Sequence, residues 1–225
     1  MSRPRKKKSG PLIKICGLRS EDGLDAALAE GADMIGMVFF PPSPRNISIE
    51  AAADLLDMVP HAEDGGPLRV GLFVDADDTA LDAVISRVRL DMLQFHGQEP
   101  PERLDWAHLE YGLPIIKALP ISNAQDLERA KDYADCADQL LLDARPPAGS
   151  DRPGGHATAF DWSLLDGWES PLPWILAGGL TPENVAEAIK RTKAPAVDVS
   201  SGVESEPGVK DPARISAFIN AIRSA

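Results

Sequence analysis

Eight short apolar runs recur along this chain, and their spacing constrains the fold more than any other feature. They are Leu12–Ile15, Met34–Phe39, Arg69–Phe73, Met92–Phe95, Pro114–Lys117, Gln139–Leu142, Trp174–Leu176 and Ala196–Val199. The runs are rich in Val, Ile and Leu and do not alternate with polar residues, as strands buried on both faces should not. Their starts lie roughly 22 to 35 residues apart, the length of one strand–helix unit.

Helical patterns fill the gaps. Ser20 precedes Glu21, Asp22 and an apolar stripe of Leu24, Ala27 and Leu28, and Ser48 opens a second amphipathic segment at Ile49. Asp77 or Asp78 opens Leu81–Val88, Glu99–His108 follows the fourth run, and Asn123 opens Asp126–Tyr133. A short helix starts after Asp161. Thr181-Pro182 and Asp211-Pro212 predict two helices with proline at the first position, where a missing N–H costs nothing.

Eight strands alternating with eight helices, without a linker-like break, predict an α/β protein: a single-domain (β/α)8 (TIM) barrel over residues 11–225. The alternative is an open doubly wound sheet. Gly17, Gly97 and the Gly178-Gly179 pair each follow a strand, on one common face of a barrel, which favours closure. Ligands collect at that face.

Charge narrows the partners. The net charge is −12, and setting aside the five basic groups Arg3, Arg5, Lys6, Lys7 and Lys8 leaves −17 on the rest. Such a body repels nucleic acid and anionic membranes, so an anionic ligand needs a local site that opposes the global field. Residues 1–10 read as a disordered basic extension, with no apolar core of a secretory signal. No apolar stretch approaches the ~20 residues that span a bilayer. Cys16 and Cys136 form neither a disulfide framework nor a metal-ligand cluster, so a reducing, cytoplasmic setting is expected.

Three groups of residues could carry chemistry. Gly178 and Gly179 end the seventh strand, and Ser200, Ser201 and Gly202 end the eighth. Loops there commonly bind phosphate through backbone N–H groups; the plain alternative is two tight turns. Cys16 ends strand one and Asp143 ends strand six. A thiolate there can take a proton and a carboxyl in apolar surroundings can donate one, although Cys16 could equally be a small buried hydrophobe and Asp143 a cap or loop ion pair. Arg45, in the stiff loop Pro41-Pro42-Ser43-Pro44-Arg45, offers a fork suited to a carboxylate or is simple surface charge. His96, at the end of strand four, lines the pocket or bonds a neighbouring loop. His61 and His108 read as surface residues and Cys136 as structural.

Taken in order, the segments Lys14-Ile15-Cys16-Gly17, Phe39-Phe40-Pro41-Pro42-Ser43-Pro44-Arg45, Gly71-Leu72-Phe73-Val74-Asp75 and Leu93-Gln94-Phe95-His96-Gly97 form half of a larger pattern. Leu141-Leu142-Asp143, Gly154-Gly155 with Phe160-Asp161-Trp162, Leu176-Ala177-Gly178-Gly179-Leu180 and Asp198-Val199-Ser200-Ser201-Gly202-Val203-Glu204 complete it. This pattern resembles the phosphoribosylanthranilate isomerase family of tryptophan biosynthesis. The resemblance implies an Amadori rearrangement of N-(5-phosphoribosyl)anthranilate, a phosphorylated aminosugar, to 1-(2-carboxyphenylamino)-1-deoxyribulose 5-phosphate. It implies no cofactor or metal. Asp143 falls where the family has its general acid and Cys16 where it has its general base. Arg45 matches the residue that holds the anthranilate carboxylate, and Gly178, Gly179, Ser200, Ser201 and Gly202 match the phosphate loops, with the substrate-binding Gly154 and Gly155 nearby. One departure stands out: the family commonly has Gly-Gly-Thr-Gly or Gly-Gly-Ser-Gly in the sixth loop, where this chain has Gly154-Gly155-His156-Ala157. A phosphosugar-binding barrel without catalysis would need neither Cys16 nor Asp143, and a monomer and a homodimer fit the sequence equally.

Overall fold

The structure, a computed structural model, describes residues 10–144 and 159–225. The basic stretch Arg3–Lys8 and the sixth-loop residues Gly154, Gly155, His156 and Ala157 lie outside the described residues.

All eight apolar runs are strands: β1 (Leu12–Cys16), β2 (Met34–Val38), β3 (Leu68–Phe73), β4 (Met92–Phe95), β5 (Ile115–Ile121), β6 (Gln139–Ala144), β7 (Trp174–Leu176) and β8 (Ala196–Val199). They pair in sequence order as a closed parallel barrel. The closing pair sets Lys14 of β1 opposite Asp198 of β8. That pairing removes the open-sheet alternative.

Successive side chains point to opposite faces of a strand. Met34, Val70, Met92, Ile116, Leu141 and Ile175 therefore plug the barrel interior. Ile13, Ile15, Ile35, Met37, Phe73 and Phe95 pack outward into the layer beneath the helices. Both faces are apolar, which is why the runs lack alternation. Lys14 and Cys16 share the inner face of β1 with no side chain between them, because Ile15 points outward.

At the floor, three aspartates repeat one device. Asp33, Asp91 and Asp138 each stand just before an even-numbered strand. Their carboxylates accept the N–H of Ile13 at 3.0 Å, Arg69 at 2.8 Å and Ile115 at 2.7 Å, each near the start of the preceding strand. Buried donors at a strand end need such partners.

The helices follow the expected order with instructive shifts: α1 (Glu21–Ala29), α2 (Ile49–Asp57), α3 (Asp78–Ile85), α4 (Pro101–Tyr111), α5 (Ala124–Glu128), α6 (Val185–Thr192) and α7 (Pro212–Arg223). Ser48, Asp77, Asn123 and Asp211 cap them through side-chain oxygens, whereas Ser20 makes no such bond. The expected helix at Pro182 begins instead at Val185. Asn184 Oδ1 accepts the Thr181 N–H and Thr181 Oγ1 accepts the Glu183 N–H, so the chain spends one turn before the helix starts. The short segment after Asp161 is a 3-10 turn, Trp162–Leu165. Beyond β8 a 3-10 turn, Ser201–Val203, leads into a hairpin of β9 (Glu204–Glu206) and β10 (Val209–Lys210). These strands are too short to stand out in the sequence.

Glu99 is not helical as expected. Its carboxylate is buried, 2.6 Å from Lys117 Nζ, and accepts the N–H groups of Asp75 at 2.8 Å and Gly97 at 2.9 Å. One acid thereby ties the loops after β3 and β4 to β5. Removing either partner would strand a buried charge.

Candidate active site

An open pocket of about 690 Å³ lies at the carboxyl ends of the strands. Its wall brings together Cys16, Arg45, His96, Asp143, Gly178, Gly179, Ser200 and Ser201, with Asp198 and an apolar side of Val38, Phe40, Leu72 and Val74. Gly202 is not on this wall. It packs against the Leu180 carbonyl so closely that any β-carbon would collide with it, and so joins the β7 and β8 loops.

Cys16 ends β1 and is buried. Gly36 lies opposite it on β2, where a β-carbon would sit 2.9 Å from the thiol sulfur. The glycine keeps that side of the sulfur open. Gly36→Ala is expected to cost about 1–3 kcal/mol of stability through overpacking and to lower turnover, as melting and steady-state kinetics on one preparation would show.

Beneath the thiol, Lys14 Nζ donates to Asp198 Oδ1 at 2.8 Å. Burial pushes the Cys16 thiol up; Lys14 and Lys210 pull it down, Asp198 adds to the rise, and the balance leaves it above its usual range. Burial also opposes the charge on Lys14, but Asp198 and Cys16 outweigh it and hold Lys14 above its ordinary value. The free enzyme therefore rests as the thiol over a fixed ammonium. The thiolate absorbance difference between the parent and Cys16→Ser is expected to grow only above pH 9.0, the ordinary thiol value. A plateau reached below neutral pH would contradict this balance.

Asp143 is the penultimate residue of β6, three strands from β1 around the barrel. Its Oδ1 accepts the Ala144 N–H at 2.8 Å and its Oδ2 lies 3.1 Å from His96 Nε2. Gly178 makes room for this. Its φ is +79°, and a β-carbon there would strike the Ala144 amide and lie 3.0 Å from Asp143 Oδ1.

Arg45 is buried and already paired. Its Nε and Nη2 each donate to Glu204 at 2.7 Å, a side-on bidentate contact. Lys210 Nζ donates to the same carboxylate at 2.7 Å and to the Ser200 carbonyl at 2.9 Å. Burial works against the Glu204 charge, but Arg45 and Lys210 hold its carboxyl below the usual range. Among the described residues Arg45 Nη1 makes no hydrogen bond, which leaves the end of the fork for a ligand lining the same pocket. On the β1, β2 and β8 side of the pocket, across from Asp143 on β6, Lys14, Arg45 and Lys210 outnumber Asp198 and Glu204 by one positive charge. This is the local field that an anion needs in so acidic a chain.

Lys210 and the pairing role of Glu204 were not legible as site features. Lys210 sits on a hairpin strand of two residues, and nothing local marks it as buried.

These parts define a class: a (β/α)8 barrel enzyme equipped for proton transfer on a small anionic molecule. A family model described as "PRAI: N-(5'phosphoribosyl)anthranilate (PRA) isomerase" matches residues 13–221. An N-(5'-phosphoribosyl)anthranilate isomerase of Rhodospirillum rubrum is 70% identical over 215 residues, covering 96% of this chain and 99% of the relative. One of Paramagnetospirillum magneticum is 57% identical over 94% of this chain and 96% of its own length. The crystal structure of phosphoribosyl anthranilate isomerase from Thermotoga maritima superposes with a TM-score of 0.82 at 37% identity, covering 96% of this chain and 100% of that one. The chain belongs to the N-(5'-phosphoribosyl)anthranilate isomerase family.

Proposed function

We propose that this chain isomerises N-(5-phosphoribosyl)anthranilate to 1-(2-carboxyphenylamino)-1-deoxyribulose 5-phosphate in tryptophan biosynthesis, with Asp143 as general acid and Cys16 as general base. The observation that carries the assignment is the single pocket wall shared by Cys16, Asp143, the paired Arg45 and the β7 and β8 loops. A solved phosphoribosyl anthranilate isomerase in complex with reduced 1-(o-carboxyphenylamino)-1-deoxyribulose 5-phosphate, with a TM-score of 0.80 and 36% identity, covers 96% of this chain. That relationship supports a phosphorylated small-molecule ligand here.

The substrate is anionic at both ends. Gly178, Gly179, Ser200 and Ser201 receive the phosphate, and the end of the Arg45 fork takes the anthranilate carboxylate. Val38, Phe40, Leu72 and Val74 offer an apolar wall for the aromatic ring. Gly154 and Gly155 are assigned to substrate binding, near the phosphate, by resemblance alone.

Asp143 gives its proton to the furanose ring oxygen as the C1–O bond breaks, and the amine lone pair closes the C1=N bond. The Cys16 thiolate then takes the proton from C2. The C–H electrons form a C1=C2 bond and the C1=N electrons return to nitrogen, giving an enolamine. Loss of the enol proton and protonation at C1 yield the ketone. The rearrangement leaves no net change in electrons.

The raised thiol fits this order. A base needed only after ring opening can rest protonated; the thiol then first gives its proton to solvent through the open pocket, a release that the Lys14 ammonium and the cationic Schiff base both favour, and the resulting thiolate takes the C2 proton. Two unpaired cysteines support a reducing, cytoplasmic setting. Residues 11–225 form the catalytic unit on this reading, with 1–10 as an appendage, acting as a monomer or a homodimer.

The test is direct: phosphoribosylanthranilate is generated in situ, and its fluorescence should disappear when the protein is added. No loss at high enzyme concentration would overturn the assignment. Arg45→Met should raise KM by about 10–100-fold with a smaller effect on kcat, since it removes a charge-assisted contact made before and after the chemical step.

A further inference from the structure

We propose that Gln94 is a positioning residue for the ring-opening step: its amide N–H, seated on His96 Nδ1, keeps that imidazole from taking a second proton, so that Asp143 faces a neutral N–H and not an imidazolium. The inference rests on the reading of Asp143 as the general acid.

Gln94 and His96 stand two residues apart along β4 and its carboxyl end, so both face the barrel interior. Gln94 is fully buried beneath the pocket, with Leu72 of β3 and Ile116 of β5 opposite it on the neighbouring strands and Met92 one step below it on β4. Its Nε2 lies 2.9 Å from His96 Nδ1, and His96 Nε2 lies 3.1 Å from Asp143 Oδ2. An amide nitrogen can only donate, so Nδ1 presents its lone pair and the ring proton sits on Nε2, directed at Asp143. The chain of donors runs Gln94 to His96 to Asp143.

The Gln94 oxygen identifies what the residue is for. It is buried with no hydrogen-bond partner. A half-turn of the amide would place that oxygen on Nδ1 and leave two N–H donors unpaired instead, and unpaired buried N–H groups are the rarer and costlier case. The present arrangement leaves the carbonyl and one N–H idle where the turned one would leave two N–H groups idle, and is therefore preferred. As core packing, the glutamine is a poor choice, since an apolar side chain of similar size would bury no idle polar atom. Its one bond is made to the imidazole.

Proton placement gives that bond a use. A histidine beside a carboxylate readily becomes an imidazolium. The imidazolium–carboxylate pair would hold Asp143 as a carboxylate, unable to open the sugar ring. With Nδ1 occupied by an amide N–H, the ring cannot accept the proton there. It stays neutral, and its Nε2–H stabilises the carboxylate formed when Asp143 has donated. Cys16 on β1, Arg45 after β2, Asp143 on β6 and Asp198 on β8 are the titratable and charged groups that share the pocket with His96, and among them Asp143 bonds the ring. Asp75 and Glu99, in the loops after β3 and β4, are held by the backbone N–H groups of Gln98 and Gly97, and Lys117 on β5 is held by Glu99.

The experiment compares parent, Gln94→Glu and Gln94→Met by 15N spectra of the imidazole side chains at assay pH, with melting temperature and steady-state kinetics on the same samples. The parent should show a neutral His96 protonated on Nε2. Gln94→Met should melt no lower than the parent. Gln94→Glu, whose carboxyl oxygen gives a proton on Nδ1 an acceptor, should show His96 as imidazolium. The kcat of Gln94→Glu should fall about tenfold or more with KM little changed. A His96 that stays neutral in Gln94→Glu, an imidazolium already present in the parent, or a Gln94→Glu kcat within about twofold of the parent would each overturn the proposal. Asp143→Asn is run beside them. If it keeps parental turnover, the general-acid reading has failed; if it loses turnover while Gln94→Glu does not, only the role of Gln94 has failed.

Discussion

Cys16→Ser is expected to lower turnover by about 10²–10⁴-fold, the usual contribution of a general base, while the barrel stays folded. The serine hydroxyl fits where the thiol was, beside Gly36 and above Lys14, so packing changes little. Its acidity is far too low for the same proton transfer at neutral pH. At 1.36 kcal/mol per decade, the loss corresponds to roughly 3–5 kcal/mol of transition-state stabilisation. The check is kcat and KM by the fluorescence assay, with circular dichroism to confirm the fold. Turnover within a few-fold of the parent would remove Cys16 from the role of base. Lys14 and Asp198 would then be a buried ion pair with no part in proton transfer.

Asp143→Asn should bring a loss of similar size, about 10²–10⁴-fold in kcat, for the complementary reason. The amide keeps the shape of the carboxyl. Its oxygen can still accept from the Ala144 N–H or from His96, so the β6 end and the Gly178 turn hold their places. What disappears is the transferable proton. Ring opening should then become limiting, and a substrate analogue already in the open-chain form should be processed far less affected than the closed sugar. Equal losses on the closed and open forms would point to a binding role instead.

The two expectations concern residues on strands that do not touch, and the sequence already marked both. Cys16 and Asp143 stood out because each follows an apolar run and falls where a barrel collects ligands. The strands themselves were legible for the same reason: a segment buried on both faces must be apolar throughout, and that needs no knowledge of its neighbours. Boundaries governed by side-chain capture were not legible. Glu99 follows a strand and precedes a helix, and only its burial against Lys117 removes it from α4. The α6 start shifted to Val185 because Asn184 and Thr181 bond each other's turn.

By itself the sequence determined the eight strands, their order along the chain and the residues at their ends, since hydrophobic periodicity and strand-end position are local properties; the pairing of β8 with β1 decided for the barrel over an open sheet. Tertiary structure alone decided what those residues face. Arg45 is a surface charge or a ligand clamp until Glu204, 159 positions away, occupies one edge of its fork. The Lys14 ammonium, 184 positions from Asp198, becomes a buried partner of that carboxylate only when β8 closes on β1. Gln94 and His96 become a donor chain only when β6 brings Asp143 alongside. Protonation and orientation depend on charges and donors within a few ångströms, and in a closed barrel those come from distant segments of the chain.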